Sequence, residues 1–204
     1  MKIFFDFLSA IILVVLFLPI FIVITVLIKL TSKGPVIFKQ KRIGQNNKIF
    51  YMFKFRTMDI NTPQNVPTHL LENTDTYITP IGKILRKTSL DELPQLINII
   101  KGEMSFVGPR PALYNQDNLI ELREIAGINS LKPGITGWAQ INGRDELDIK
   151  TKVQYDEFYF KNKSLLFDIK IISRTLINVI FAKGIIEGKK KDNIYNYAKK
   201  RDIN

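Results

Sequence analysis

One apolar run near the start constrains everything that follows it. Residues 3 to 28, IFFDFLSAIILVVLFLPIFIVITVLI, carry only three polar side chains, Asp6, Ser9 and Thr25. As one straight helix the run would reach roughly 39 Å, against a hydrocarbon core of about 30 Å, so it is long enough to span a membrane. It is too long for a cleaved signal, contains an acid and lacks a small-residue cleavage site ahead of Lys29, so it is expected to stay and hold the chain to a membrane. Pro19 interrupts it near the middle. An interior proline costs on the order of 3 kcal/mol in a water-soluble helix, and Asp6 would cost about as much at mid-bilayer. A bend at Pro19 that returns the chain to its starting side reduces both costs. Membrane helices tolerate proline, however, and the residues by themselves slightly favour a plain span. Lys29, Lys33, Lys39, Lys41 and Arg42 follow the run, while only Lys2 and the amino terminus precede it, which predicts that the bulk of the chain faces the cytoplasm.

The remainder of the 204 residues is enough for one domain with a real core. A net charge of +11 favours nucleic acid, anionic headgroups or phosphorylated substrates as partners, without choosing among them. No cysteine is present, which excludes disulfides, thiolate metal sites and a cysteine nucleophile. The single histidine, His69, makes no metal site by itself.

Two strand-like runs, 36–40 and 49–56, joined across Gly44 to Lys48, predict a β-hairpin in which Lys54 and Arg56 alternate with aromatics on one face. Residues 59 to 80, rich in Thr, Asn and Pro, read as a long surface loop, and 80–86 as a short helix. Helical spacing recurs over 113–126, which Gly127 ends, and over 148–162, where Tyr155, Asp156 and Tyr159 fall close together. Between these, residues 132 to 144 hold three glycines, the only tryptophan and Arg144; they suit either a phosphate cradle with a stacking ring or a plain irregular turn. The run 165–182 is too polar for a second span and fits an interfacial or buried helix. Residues 183–204 read as a basic, mobile tail near anionic lipid.

The stretch from Leu85 to Pro111 carries the chemistry. It sets the adjacent acids Asp91 and Glu92 among Arg86, Lys87, Lys101 and Arg110, an arrangement suited to phosphate chemistry because one acid can attack or hold a metal while cations neutralise oxyanions. The same acids also complete a capping box, Ser89-Leu90-Asp91-Glu92, in which they merely start a helix. That box places Pro94 at the fifth helical position, whereas a helix starting at Asp91 puts it in the tolerated first turn.

Taken together, Gly34-Pro35-Val36, Lys54-Phe55-Arg56, Thr88 through Leu96, Met104 through Pro111 and Pro133 through Arg144, following the apolar run in that order, closely resemble the bacterial sugar transferases known as monotopic polyprenyl-phosphate phosphoglycosyl transferases. The likeness covers all but the basic tail. It implies an α+β, mostly helical fold: a re-entrant membrane helix over 1–30 broken at Pro19, a cytosolic catalytic domain over 31–182 with a small β-hairpin and interfacial amphipathic helices, and the tail 183–204. It further implies a bacterial inner-membrane enzyme that is Mg²⁺-dependent and moves a phosphosugar from a nucleoside diphosphate sugar, expected to be a UDP-sugar, to undecaprenyl phosphate. By that resemblance Asp91 is the nucleophile, Glu92 helps hold Mg²⁺ with it, and Lys54, Arg56, Arg86, Arg110, Arg144, Asp156 and Asp168 surround the substrates. Anionic lipid is an expected partner and nucleic acid is not. Leu18-Pro19 stands where family members often carry Ser-Pro, so the break rests on Pro19 alone. The competing reading, a basic membrane-anchored protein that binds nucleic acid, predicts cations clustered on one helix or in the tail; here they are interleaved with acids and glycine turns.

Overall fold

The computed structural model describes residues 2–62, 74–143 and 147–180. Arg144, His69, half of the loop expected over 59–80 and the tail from 183 onward lie outside the described residues.

The apolar run is two helices, α1 (Lys2–Leu16) and α2 (Leu18–Thr31), inclined at 61°. Pro19 sits in the first turn of α2. There its missing N–H is one of the donors that a helix start leaves unpaired anyway, so the break costs little. A straight span is not what forms: among the described residues no single helix is long and apolar enough to cross a membrane, and the bent pair passes that test only together, by length and composition, as a broken span or a re-entrant loop. Both ends of the pair meet the same body. At the start, Lys2 Nζ lies 2.6 Å from Asp168 Oδ2, and Ser105 Oγ donates to Asp6 Oδ2 at 2.7 Å. At the end, Arg56 donates to the backbone oxygens of Lys33 and Ser32 and to Ser32 Oγ.

A stripe of the pair packs inward. Ala10, with Leu13 and Val14, meets Phe50, Met52, Leu96 and Ile99, while Phe21, Ile24 and Ile28 meet Phe55 and Leu85. The strands behind these contacts are β1 (Ile37–Ile43) and β2 (Ile49–Phe55), an antiparallel hairpin with Ile37 opposite Phe55 and Ile43 opposite Ile49. Its turn uses Asn46 and Asn47 at φ of 54° and 59°, a conformation asparagine tolerates better than most residues. The other edge of β2 is covered by Asn98, which accepts from Phe53 N at 3.0 Å and donates to Tyr51 O at 2.8 Å. Capping an edge with a buried amide satisfies backbone groups that would otherwise be left open.

The chain continues through α3 (Thr74–Tyr77), α4 (Pro80–Lys87), α5 (Gln95–Ile100), β3 (Ser105–Val107) and α6 (Asp117–Ile125). β4 (Gly134–Thr136), α7 (Trp138–Ile141), α8 (Ile149–Asn162) and α9 (Leu165–Ile180) complete it. Thr79 caps α4 by accepting from Gly82 N at 3.0 Å, and Asp148 caps α8 by accepting from Thr151 N at 2.9 Å. Ser105 pairs with Gly134 and Val107 with Thr136 in a short parallel ladder that the sequence did not predict. The glycine stretch makes this crossing: Gly108 N donates to Thr136 O and Gly134 N to Pro109 O, and a Cβ on Gly108, Gly134 or Gly137 would strike opposing backbone. Its glycines therefore permit backbone contact, and Trp138 is packed between Phe158 and Phe167, with ring centroids 5.8 and 4.9 Å away. The fold is mostly helical with a small antiparallel hairpin. On α9, Leu165, Ile169, Ile172 and Leu176 form one exposed apolar face, while Asp168 and Ile171 are buried.

Candidate active site

The acid pair lies on a tight turn. After α4 the backbone reverses through Ser89 at φ 56°, a left-handed conformation that costs a non-glycine residue about 1 kcal/mol. Leu90–Glu92 then form one 3-10 turn, closed by Glu92 N to Ser89 O at 3.2 Å and Leu93 N to Leu90 O at 3.3 Å. Leu90 and Leu93, three residues apart, sink into the apolar clusters under α1 and α2 and fix the turn, with Asp91 and Glu92 between them. Ser89 makes no capping bond, so the capping box is not formed. Nor does a helix start at Asp91: α5 begins at Gln95, and Pro94 stands just before its first residue, where no N–H is required.

Three elements bring cations to this turn. Lys54, on β2, places Nζ 2.7 Å from Glu92 Oε1 and 3.8 Å from Asp91 Oδ2. Arg110, in the turn after β3, reaches Glu92 Oε1 at 3.3 Å. Arg86, on the last turn of α4, donates through Nε to Thr57 Oγ1 at 2.9 Å, and its charge bears on Asp91. Glu92 is thus held from two sides. Asp91, 8% exposed, makes no hydrogen bond to any described residue, and its ion pair with Lys54 stands off at 3.8 Å.

Burial pushes the Asp91 carboxyl above its ordinary range; Lys54 opposes that, the Glu92 charge adds to it, and Arg86 and Arg110 pull it back. Burial likewise lowers the Lys54 ammonium, against the pull of Glu92 and Asp91. Both shifts describe a site short of water, where a bound anion with several charges would gain more from these cations than it would in solution. The adjacent carboxylates are hard oxygen donors, and no cluster of three or more acidic, histidine or cysteine side chains occurs among the described residues. Mg²⁺ characteristically takes one or two carboxylates and completes its shell with phosphate oxygens and water, so Asp91 and Glu92 fit that ion when a phosphorylated substrate is present.

The turn carrying Arg110 is pinned on several sides. Arg42 Nη1 donates to Pro111 O at 3.0 Å, and Ile43 N donates to Ala112 O at 2.9 Å. Arg123, from α6, donates to Arg110 O at 2.8 Å. Arg123 is itself clasped by Asp156 Oδ2, from Nε at 3.0 Å and Nη2 at 2.6 Å. Burial raises the Asp156 carboxyl, and Arg123 opposes the rise.

A bacterial sugar transferase family model matches residues 1–182. The chain is 38% identical over 185 residues to the UDP-N-acetylgalactosamine-undecaprenyl-phosphate N-acetylgalactosaminephosphotransferase of Aeromonas hydrophila, covering 88% of this chain and 43% of that protein. It is 42% identical over 178 residues to the UDP-glucose:undecaprenyl-phosphate glucose-1-phosphate transferase of Escherichia coli (strain K12), covering 84% and 38%. It is also 38% identical over 194 residues to the exopolysaccharide production protein ExoY of Rhizobium meliloti (strain 1021), covering 88% and 85%. The chain belongs to the bacterial sugar transferase family. It spans less than half the length of the first two relatives and most of the third.

Within this family member, the structure gathers Asp91, Glu92, Lys54, Arg86 and Arg110 at one place and gives Arg56, Asp156 and Asp168 other partners, while Arg144 lies outside the described residues. Arg56 is 5% exposed and spent on the end of α2. Among the described residues, Asp156 connects to the site through Arg123 and the Arg110 backbone. Asp168 accepts from Tyr159 OH at 2.7 Å and pairs with Lys2, tying α9 to the start of α1. Burial, then the bond to Asp168, raises the Tyr159 hydroxyl, so it remains a donor. Arg123 was missed in the sequence, where 113–126 showed only helical spacing. Its one signal was position: it follows Leu119 by four residues, on the same buried face of α6.

Proposed function

We propose that this protein transfers a sugar phosphate from a UDP-sugar to undecaprenyl phosphate, with Asp91 as nucleophile, at an early membrane step of bacterial glycoconjugate assembly. The observation that carries this reading is the unequal treatment of the two acids: Glu92 is locked by Lys54 and Arg110, while Asp91 makes no hydrogen bond to any described residue and only a 3.8 Å ion pair with Lys54. A carboxylate held this way can be directed at phosphorus. The donor and acceptor classes come from the relatives, whose names give UDP-sugars and undecaprenyl phosphate.

In the first step an Asp91 carboxylate oxygen attacks the phosphorus that bears the sugar. The bond to the bridging oxygen breaks, and UMP leaves with that electron pair. In the second step a phosphate oxygen of undecaprenyl phosphate attacks the same phosphorus, the bond to Asp91 breaks, and the carboxylate returns. Lys54, Arg86 and Arg110 offset the phosphate charges that would otherwise repel an acid nucleophile. Mg²⁺, when bound through Glu92 and Asp91, would neutralise phosphate oxygens further.

The same reading seats the bent pair in the cytoplasmic leaflet as a re-entrant hairpin. Its two ends touch one domain, and Ile3, Phe4, Val15, Leu16 and Leu30 are each more than 60% exposed, a continuation of bare apolar surface that water would not support. The excess of lysine and arginine after the run favours the cytoplasmic face. The test is UMP release by membrane fractions given Mg²⁺, undecaprenyl phosphate and a panel of UDP-sugars. Release with at least one sugar, abolished by Asp91→Asn, is expected; no release with any sugar, or undiminished release from the variant, overturns the proposal.

A further inference from the structure

Between the first two turns of α1 and the end of α5 lies an open groove of about 460 Å³, within the size range of small-molecule pockets. Its walls are apolar, chiefly Phe4, Phe7 and Ile99, and two cations, Lys101 and Lys132, stand at its polar end. Gly102, at φ 76°, leaves that end bare: a Cβ there would stand 3.6 Å from Lys132 Nζ. Lys101 is partly committed, with Nζ 2.7 Å from Glu103 Oε1 and over the Phe53 ring at 5.4 Å. Lys132 has no ion pair or side-chain hydrogen bond with any described residue. The one acid in the lining, Asp6, already accepts from Ser105 and lies 3.9 Å from Lys2. An ammonium with no partner among the described residues, in the lining of an apolar groove, matches an amphiphile with a phosphate head and a hydrocarbon tail.

We propose that this groove holds one anionic phospholipid of the surrounding bilayer, its phosphate at Lys132 with Lys101 beside it and one acyl chain along Phe4, Phe7 and Ile99. The proposal rests on the membrane seating described above and is independent of the phosphoryl chemistry. Asp91, Glu92, Lys54 and Arg110 do not line the groove. The acceptor must bring its phosphate to Asp91, so a resident lipid is the occupant that the lining favours. Such a lipid would wedge α1 against α5 beside the anchor that Lys2 and Asp6 provide.

Native mass spectrometry of the full chain in zwitterionic micelles tests this, with phosphatidylglycerol and phosphatidylcholine of identical acyl chains titrated in separate arms and undecaprenyl phosphate as competitor. One phosphatidylglycerol should be retained in preference to phosphatidylcholine. Lys132→Ala should lower that retention about fivefold, the effect of one lysine at an anionic surface, while Lys163→Ala leaves it unchanged. Equal retention of the two lipids, an unaltered Lys132→Ala, or displacement of phosphatidylglycerol by equimolar undecaprenyl phosphate overturns the proposal. Liposome flotation separates the two failures. Wild-type chain that does not float refutes the seating, whereas chain that floats without headgroup preference refutes the groove alone.

Discussion

Replacing Asp156 by asparagine removes one charge from a buried pair and tests how the Arg110 turn is held. Asp156 is 1% exposed, and one of its oxygens takes two donors from Arg123, whose third contact is the Arg110 backbone. Asparagine keeps an acceptor but leaves the guanidinium buried without its counter-charge, which costs about 3 kcal/mol. For a chain of this size each kcal/mol moves the midpoint by about 3 °C, so thermal unfolding in detergent should shift down by about 9 °C. The double variant Asp156→Leu with Arg123→Met removes both charges and should return to within about 1 kcal/mol of wild type, because hydrophobic replacement of a buried pair is often neutral. Its UMP release should stay low, since Arg110 has lost its backbone support. A midpoint unchanged in the single variant, or a double variant as unstable as the single, would refute the reasoning.

Asp91→Asn should stabilise the protein while destroying its activity. Burial raises the Asp91 carboxyl above 3.8, so the folded chain holds that proton more tightly than the unfolded chain. The resulting stabilisation is complete below 3.8 and is lost as pH rises through the raised folded value. Above that raised value the charged, buried acid is a burden and asparagine should be the more stable, a gain that shrinks as pH falls towards 3.8; equal midpoints at every pH would contradict this. Lys2→Ala should loosen the start of α1, with amide exchange over residues 6–9 about fivefold faster and the α5 amides unaffected, as expected for loss of a charged hydrogen bond worth about 1 kcal/mol.

Much of this architecture was legible because it depends on local pattern. Alternation gave the hairpin, Pro80 and the spacing after it gave α4, and the acids with their cations gave the cluster that forms the candidate site. What escaped depends on contacts between distant segments. The β3–β4 ladder is three residues a side, too short for periodicity to register, and its glycines serve a backbone crossing that only the partner segment explains. Ser89 reads as a capping residue by type, yet the leucines on either side of the acids dictate a left-handed turn that forbids the cap. Arg56, Asp156 and Asp168 were expected around the substrates, and among the described residues their side chains bond to the end of α2, to Arg123, and to Lys2 with Tyr159. Nothing in their own neighbourhoods distinguishes them from Lys54 or Arg110. Pro19 announced the break, but the 61° bend rests equally on the inward packing of Ala10 and Ile24, which lie on different helices.

The most direct test of the account is to catch the sugar phosphate on the protein. Purified chain incubated with Mg²⁺ and the UDP-sugar found active, with undecaprenyl phosphate withheld, should be quenched, digested and its peptides weighed. The account predicts one hexose-phosphate-type addition on the peptide that contains Asp91, absent from Asp91→Asn and cleared when acceptor is added before the quench. A chain that turns over yet never carries that mass, or one that carries it on another residue, would contradict the account.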